Sequence, residues 1–122
     1  MLVITLSNRL PFPMTSTLAN AKFLANIALM HGGLMDYEDA LELQRRFHSE
    51  VVAGKRPNTL ILLEHPSVYT AGKRTQDFEK PTDGAPVINV DRGGRITWHG
   101  PGQLVGYPIV KLLKPTELVG FV

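Results

Sequence analysis

The 122-residue sequence contains no cysteine at all. This absence excludes disulfide scaffolds, thiolate zinc sites and a cysteine nucleophile from the polypeptide. It also fits a reducing compartment, so we expect a cytoplasmic protein. Long apolar runs are missing too, since no stretch approaches the roughly 18 to 20 residues that a transmembrane helix needs. We therefore expect neither a membrane-spanning segment nor a membrane partner.

An excess of charge of one sign is also lacking. Thirteen Lys and Arg against eleven Asp and Glu leave a net charge of +2, and the two signs are mixed along the chain. Without a basic stripe, the pI of about 9.1 is poor evidence for nucleic-acid binding, and no nucleic-acid partner is expected. The four histidines include no closely spaced pair, so we expect no metal site.

The residues that are present suffice for one folded domain, because 43% of them are hydrophobic. Asp36 is a good N-cap, and apolar residues at helical spacing predict a helix of about 17 residues between it and Gly54. The apolar run Thr59–Leu63 is typical of a strand buried on both faces. Further strands are predicted at 1–6, 68–71, 87–90, 95–98 and 104–109. This order predicts an α/β or α+β fold with a mixed sheet and packing helices.

The two ends of the chain are harder to interpret. Apolar residues at 18, 21, 24, 25, 28 and 29 recur at helical spacing, but we assign residues 1–32 no function. A start codon placed too far upstream would explain this N-terminal extension. Near the other end, Pro115 begins an amphipathic pattern that stops after about two helical turns. We expect residues 33–122 to be the front half of a larger domain that is truncated here.

Residues able to carry chemistry concentrate between positions 92 and 103, with four glycines, two arginines, a threonine, a histidine and a glutamine. Glycines let the backbone approach a ligand, and an arginine can fork onto a carbonyl or a phosphate. Thr97 and Trp98 point to opposite faces of a strand, so one should line a pocket while the other packs. The predicted substrate-binding residues are Arg92, Gly93, Gly94, Arg95, Ile96, Thr97, Trp98 and His99.

The alternative is a pair of tight hairpin turns with solvated arginines, but two glycine loops converging on His99 favour a binding site. A histidine at a strand end such as His65 can act as a base, although it is more often structural. Neither a dinucleotide fingerprint, nor a P-loop, nor a nucleophile elbow around Ser67 is present. Additional pocket candidates are His65, Tyr69, Gly102 and Gln103. These residues can hold a ligand but form no convincing covalent catalyst.

The stretch Arg92-Gly-Gly-Arg-Ile-Thr-Trp-His99, which runs into Gly100-Pro-Gly-Gln-Leu-Val-Gly-Tyr107-Pro, resembles the signature of the lipoyl(octanoyl) transferase family. Two earlier stretches resemble upstream blocks of the same family: Leu62-Leu-Glu-His-Pro-Ser-Val-Tyr-Thr-Ala-Gly72 and Asp36-Tyr-Glu-Asp-Ala-Leu-Glu-Leu-Gln44. The resemblance covers residues 33–122, whereas residues 1–30 do not resemble the family.

The resemblance implies an acyltransferase of lipoate synthesis, with the α/β fold of lipoate and biotin ligases and no cofactor. It would move octanoyl from acyl carrier protein to a lysine on the lipoyl domains of 2-oxoacid dehydrogenases and on the glycine cleavage H protein. Residues 92–99 would contact the substrate. The family works through a cysteine nucleophile and a lysine that lowers its pKa, and both are expected beyond residue 122. No residue here inherits a catalytic role, and the chain alone is expected to be inactive.

Two other interpretations stay open at this point. A related ligase would activate lipoate or biotin with ATP, and ATP binding would distinguish it. A non-catalytic acyl-binding remnant would bind the acyl group without turning it over.

Overall fold

The computed structural model describes residues 4–6 and 27–112. These residues form seven strands, one α-helix and a short 3₁₀ turn, and they confirm the α+β class with mixed strand directions. The elements are β1 Ile4–Leu6, β2 Ala28–Leu34, α1 Tyr37–Val52, β3 Thr59–Glu64, β4 Val68–Ala71, the 3₁₀ turn Asp77–Glu79, β5 Val87–Asn89, β6 Thr97–His99 and β7 Leu104–Ile109.

The strands form two sheets. The first has the order β1-β7-β3-β2, in which β2 runs parallel to β3 while β7 is antiparallel to both β3 and β1. The second has the order β5-β4-β6, with β5 parallel and β6 antiparallel to β4. Because β4 follows β3 after three residues and β7 follows β6 after four, the two sheets meet where these strands end.

Helix α1 confirms the most regular part of the sequence pattern. Asp36 occupies the N-cap position without a side-chain capping bond, and Gly54 follows the helix with a φ of +72°. The helix buries Ala40, Phe47 and Val51 against the first sheet. Burial of these apolar side chains is the main force that holds the helix on the sheet. The core residues supplied by the sheet are Ile61, Leu63, Val105, Tyr107 and Ile109.

Strand β3 is not buried on both faces, so that expectation was wrong. Its burial alternates: Ile61 and Leu63 are buried among the core residues, whereas Leu60 and Leu62 remain half-buried. A continuous apolar run shows only that the side chains on both faces of the strand are apolar. Which face is covered depends on where the helix packs.

The helical spacing near the N-terminus does not persist into the described residues. Ala28 and Leu29, which were counted as helical positions, begin β2 and pair with Thr59 and Leu60 of β3. Hydrogen bonding to a neighbouring strand overrides a weak local periodicity. Strand β2 also crosses position 33, where we predicted the domain boundary. The earlier part of the helical pattern and the pattern that begins at Pro115 lie outside the described residues.

Candidate functional site

A cavity of about 740 Å³ lies between helix α1 and the strands of both sheets. The side chains that matter here come from α1, from the loop between β5 and β6, and from β6 and β7: Tyr37, Leu41, Val90, Arg92, His99 and Tyr107. Thr97 also lines it. Three of the eight predicted substrate-binding residues, Arg92, Thr97 and His99, therefore share one cavity.

Among the residues that line the cavity, Arg92 makes the most side-chain hydrogen bonds in the described part of the chain. One terminal nitrogen donates to the carbonyls of Gly93 and Arg95, at 3.1 and 2.9 Å. The other donates to the carbonyl and hydroxyl of Thr70, at 2.9 and 3.0 Å, and to the hydroxyl of Thr97 at 3.1 Å. The sequence indicates that Arg92 can neutralise an anion or fork onto a carbonyl or a phosphate of a ligand. The structure instead uses both terminal nitrogens to hold β4, the glycine turn and β6 together.

Gly72 determines how closely the Arg92–Gly94 turn approaches β4. A Cβ atom at this position would lie 2.6 Å from the carbonyl oxygen of Gly94 and 2.9 Å from a terminal nitrogen of Arg92. Lys73 and Arg74 donate backbone hydrogen bonds to the carbonyls of Arg92 and Gly94, both at 3.0 Å. The Arg92–Gly94 turn therefore packs directly against the buried backbone of Gly72.

The two turn glycines lie behind Arg92 rather than against the cavity. Gly94 has a φ of +89°, a backbone conformation that residues other than glycine rarely adopt. A Cβ atom at Gly93 would meet no other atom within 4 Å. Neither belongs to the cavity wall, so we infer that they act by shaping the main chain that carries Arg92.

Thr97 and Trp98 divide as the strand alternation predicted. Thr97 faces the cavity and accepts a hydrogen bond from Arg92. Trp98 lies outside it, 40% exposed, with its indole nitrogen donating to the Ser67 hydroxyl at 2.9 Å. Gly100 packs against this indole ring so closely that a Cβ there would overlap it.

Other predicted residues lie away from the cavity. The exposed Arg95 forms an ion pair with Glu79 at 2.9 Å, and Ile96 is half-buried beside it in the chain. The Tyr69 hydroxyl donates to Asp83 at 3.2 Å. Gly102, at a φ of +87°, donates its backbone N–H to the Glu64 carboxylate. None of these residues contributes to the cavity wall, so the second glycine loop reaches the cavity only through His99.

His99 ends β6 and is nearly buried, with 4% of its surface exposed. Its Nδ1 lies 2.6 Å from the amide oxygen of Gln103, which belongs to the glycine loop that follows. Because an amide oxygen only accepts hydrogen bonds, Nδ1 carries the proton of the neutral ring. Gln103, which does not line the cavity, thus determines how His99 presents its other nitrogen.

His65 is fully buried and does not line the cavity. Its Nδ1 donates to the carbonyl of Met35, and its Nε2 accepts from the hydroxyl of Tyr107, both at 2.7 Å. Burial lowers the pKa of His65 and raises the pKa of the Tyr107 hydroxyl, so both groups are neutral at pH 7. The predicted pocket residue His65 therefore does not reach the cavity itself but holds the hydroxyl of Tyr107, which lines it.

We expect acidification to destabilise the fold through His65. Its folded pKa lies below the ordinary value of 6.5, so the unfolded chain binds more protons between those two values. The stability that neutral His65 contributes is complete above pH 6.5 and is lost as the pH falls toward the lowered folded value. Urea unfolding at about pH 7.5 and about pH 5.5 measures this loss.

The matched control for this prediction is His48, which is exposed on helix α1. His65→Gln should flatten the pH dependence of the unfolding free energy, whereas His48→Gln should leave it as it is. Equal pH dependence in the parent chain and in His65→Gln would contradict the assignment.

Sequence reasoning missed three residues that build this site. They are Tyr37, Gly72 and Tyr107, which lie in the stretches that resemble the family but are not among the predicted site residues. Tyr37 has its pKa raised, chiefly by burial, and its ring lies 5.4 Å from that of His65. For Gly72, the signals available in the sequence are a glycine directly after a predicted strand and its place in a stretch that resembles the family.

The described part of the chain has neither a metal-binding cluster nor a membrane-spanning helix. Residues 4–6 and 27–112 contain no group of three or more His, Asp or Glu side chains that could hold a metal ion. Across the same residues, no helix is both long and apolar enough to cross a membrane.

Comparison with known proteins agrees with this architecture. Residues 36–121 match the family model described as the lipoyl protein ligase A/B catalytic domain. The chain is 63% identical over 93 residues to an octanoyltransferase of Leifsonia xyli subsp. xyli, covering 76% of this chain and 42% of that protein. It is 66% identical over 96 residues to that of Acidothermus cellulolyticus, covering 79% and 43%. With the Rhodococcus opacus octanoyltransferase, identity is 54% over 110 residues, covering 89% and 43%.

The chain spans less than half the length of these curated relatives. The family match nevertheless covers well over half of the chain, and it includes helix α1, the Arg92–Gly94 turn, His99 and Tyr107. On this evidence, the chain belongs to the family of lipoyl protein ligase A/B catalytic domains.

Proposed function

We propose that this chain forms the acyl-binding part of an octanoyltransferase, which moves octanoyl from acyl carrier protein to a lysine of a lipoyl domain. The relatives named octanoyltransferase support the reaction. The observation that carries the proposal is the shared cavity, which Leu41 and Val90 line together with Arg92, Thr97 and His99. Apolar side chains together with a few polar groups are what an uncharged acyl thioester requires.

The ionisation of the cavity supports the same ligand. The pKa values of Tyr37 and Tyr107 are both raised by burial, so neither hydroxyl carries a negative charge at neutral pH. The Arg92 guanidinium donates its hydrogen bonds to protein oxygens. Arg45 and Asp91 also line the cavity, and their charges have opposite signs. With Arg92 bound to protein oxygens, we infer that the cavity suits a neutral acyl chain better than a free carboxylate or a phosphate.

The remaining parts of the reaction belong to the same proposal. The acceptors are the lipoyl domains of 2-oxoacid dehydrogenases and the glycine cleavage H protein, and the donor is octanoyl-acyl carrier protein. The chain contains no cysteine. The cysteine nucleophile and its lysine partner are expected beyond residue 122, in which case the 122-residue chain binds the acyl group without transferring it.

A chimera provides a direct activity test. The matching 96-residue segment of the Acidothermus cellulolyticus octanoyltransferase is replaced by that of this chain, a conservative graft at 66% identity. We expect the chimera to transfer octanoyl from octanoyl-acyl carrier protein to a lipoyl domain without ATP, as followed by mass spectrometry. Transfer only from free octanoate with ATP would indicate a ligase and contradict the proposal.

A substitution in the apolar wall tests the binding site itself. Leu41→Glu in the chimera places a carboxylate in the acyl-binding cavity, and we expect kcat/KM to fall at least about tenfold because a charge must be desolvated. The control is Val52→Glu on the same helix, whose side chain is 63% exposed. Equal effects of the two substitutions would show that the cavity does not hold the acyl chain.

A further inference from the structure

The polar side chains that line the cavity divide into two sets by their burial. The inner set is half-buried or buried: Tyr37, Arg92, His99 and Tyr107. The exposed set, which we call the rim, consists of Arg45, Asn89, Asp91 and Thr97. A charge that stays in contact with water avoids the cost of desolvation. A charged group of a ligand therefore fits the rim, whereas a neutral acyl chain fits the interior.

The rim carries one positive charge that no acidic side chain neutralises within the described residues. Asp91 forms an ion pair with Lys73 at 2.6 Å, so its negative charge is already compensated. The Arg45 side chain, in contrast, forms neither an ion pair nor a hydrogen bond among residues 4–6 and 27–112. Asn89 and Thr97 are neutral. The rim therefore offers the guanidinium of Arg45 to an anionic group of the ligand.

Helix α1 places Arg45 in line with the acyl-binding side chains. Tyr37, Leu41 and Arg45 follow one another at intervals of four residues, and all three line the cavity. At about 1.5 Å per residue, this stripe extends about 12 Å along the helix. The neighbouring Arg46 is also exposed but does not line the cavity, and its guanidinium lies 5.6 Å from the centre of the Phe47 ring. A ligand that matches the stripe has an apolar part beside Leu41 and an anion beside Arg45.

We propose that Arg45 binds the phosphodiester of the flexible arm on which an acyl carrier protein presents its octanoyl thioester. The inference rests on the proposed function. The phosphopantetheine arm of an acyl carrier joins an acyl thioester at one end to a phosphodiester with a single negative charge. The acyl chain lies beside Leu41 while the phosphodiester reaches the rim. The planar guanidinium of Arg45 donates two parallel hydrogen bonds to the phosphate oxygens.

Two probes that differ only in the phosphate test this site on the full 122-residue chain. They are S-octanoyl phosphopantetheine methyl ester, which has a phosphodiester, and S-octanoyl pantetheine, which has none. Titrations followed by ¹⁵N–¹H NMR should give a dissociation constant about tenfold lower for the probe with the phosphate. Arg45→Gln should reduce this preference to less than about twofold, whereas the control Arg46→Gln should keep it. Equal affinity of the parent chain for the two probes would overturn the proposal.

The second test measures transfer by the chimera. Arg45→Gln should raise KM for octanoyl-acyl carrier protein about tenfold and leave kcat within about threefold of the parent value, because the phosphate is bound equally in the ground state and the transition state. Arg46→Gln should leave both constants within about twofold. High salt should raise this KM more in the parent chimera than in Arg45→Gln, because salt screens an exposed charge pair.

Other anions give different results with the same variant. A higher KM for the lipoyl domain, with the KM for the donor unchanged, would assign Arg45 to an acidic surface of the acceptor and overturn the proposal. A higher KM for octanoyl-acyl carrier protein, with equal affinity for the two probes, would assign it to acidic side chains of the carrier protein. That result would also overturn the proposal.

The outcomes separate the inference from the function on which it rests. An active parent chimera together with an unchanged KM for the donor in Arg45→Gln would overturn the role of Arg45 and leave the octanoyltransferase assignment standing. A parent chimera that transfers no octanoyl would overturn both.

Discussion

Replacing Gly72 with valine is expected to reduce octanoyl transfer by the chimera below detection and to destabilise the chain by about 1–3 kcal/mol. The first atom added would lie 2.6 Å from the carbonyl oxygen of Gly94, a backbone atom that can move only with its turn. Displacement of the turn breaks the backbone bonds from Lys73 and Arg74 and pulls Arg92 off Thr70. Transfer assays and urea unfolding measure the two effects.

The control for this prediction lies in the turn itself. Gly93→Val adds the same side chain where no atom lies within 4 Å and where φ is not positive. Its unfolding free energy should change by less than about 0.5 kcal/mol. A loss of transfer without a loss of stability in Gly93→Val would indicate direct contact with substrate. An unfolding free energy of Gly72→Val equal to that of the parent chain would contradict the close packing of the turn against Gly72.

Replacing Arg92 with lysine is expected to lower transfer by the chimera at least about 100-fold and to destabilise the chain by about 2–3 kcal/mol. Lysine keeps the positive charge but cannot reproduce a planar fork that reaches Thr70, Thr97 and the turn carbonyls together. The carbonyl and hydroxyl oxygens of Thr70, which is buried, would then lose the donor that Arg92 supplies. The wall of the cavity would loosen even though its charge is unchanged.

Arg95 offers the matched control, since it lies three residues away and is exposed. Its ion pair with Glu79 is on the surface, and Arg95→Lys should cost less than about 1 kcal/mol. Thermal unfolding and transfer assays on both variants compare the two arginines. Equal loss of transfer in Arg92→Lys and Arg95→Lys would contradict a specific role of Arg92 in the cavity.

Local sequence predicted the elements whose signals are local. Helix α1 has an apolar stripe, an N-cap residue and a terminating glycine, and it forms between Asp36 and Gly54 as expected. Strand β7 occupies the predicted residues, Leu104–Ile109. The alternation of Thr97 and Trp98 followed from strand geometry alone. These predictions succeeded because each depends on residues within one turn or one strand.

The interactions that build the cavity connect distant parts of the chain. Arg92 and Thr70 are 22 positions apart, and His65 and Tyr107 are 42 apart. Nothing near Gly72 indicates that the carbonyl of Gly94 will lie against it. Sequence reasoning therefore identified Arg92 as a substrate-binding residue and His65 as a pocket candidate, but it could not name their protein partners. The structure instead pairs His65 with Met35 and Tyr107, and Arg92 with backbone and hydroxyl oxygens.

The order of residues by itself determined which groups are available: a glycine-rich turn flanked by arginines, two histidines at strand ends, and no thiol. Only the tertiary structure decided which of them face one another. Close packing of the Arg92–Gly94 turn against Gly72 places Arg92 at the cavity. The hydrogen bond to Gln103 orients the ring of His99. The physical reason is that backbone geometry and side-chain spacing act over a few residues, whereas hydrogen bonding and close packing act between any segments that the sheets bring together.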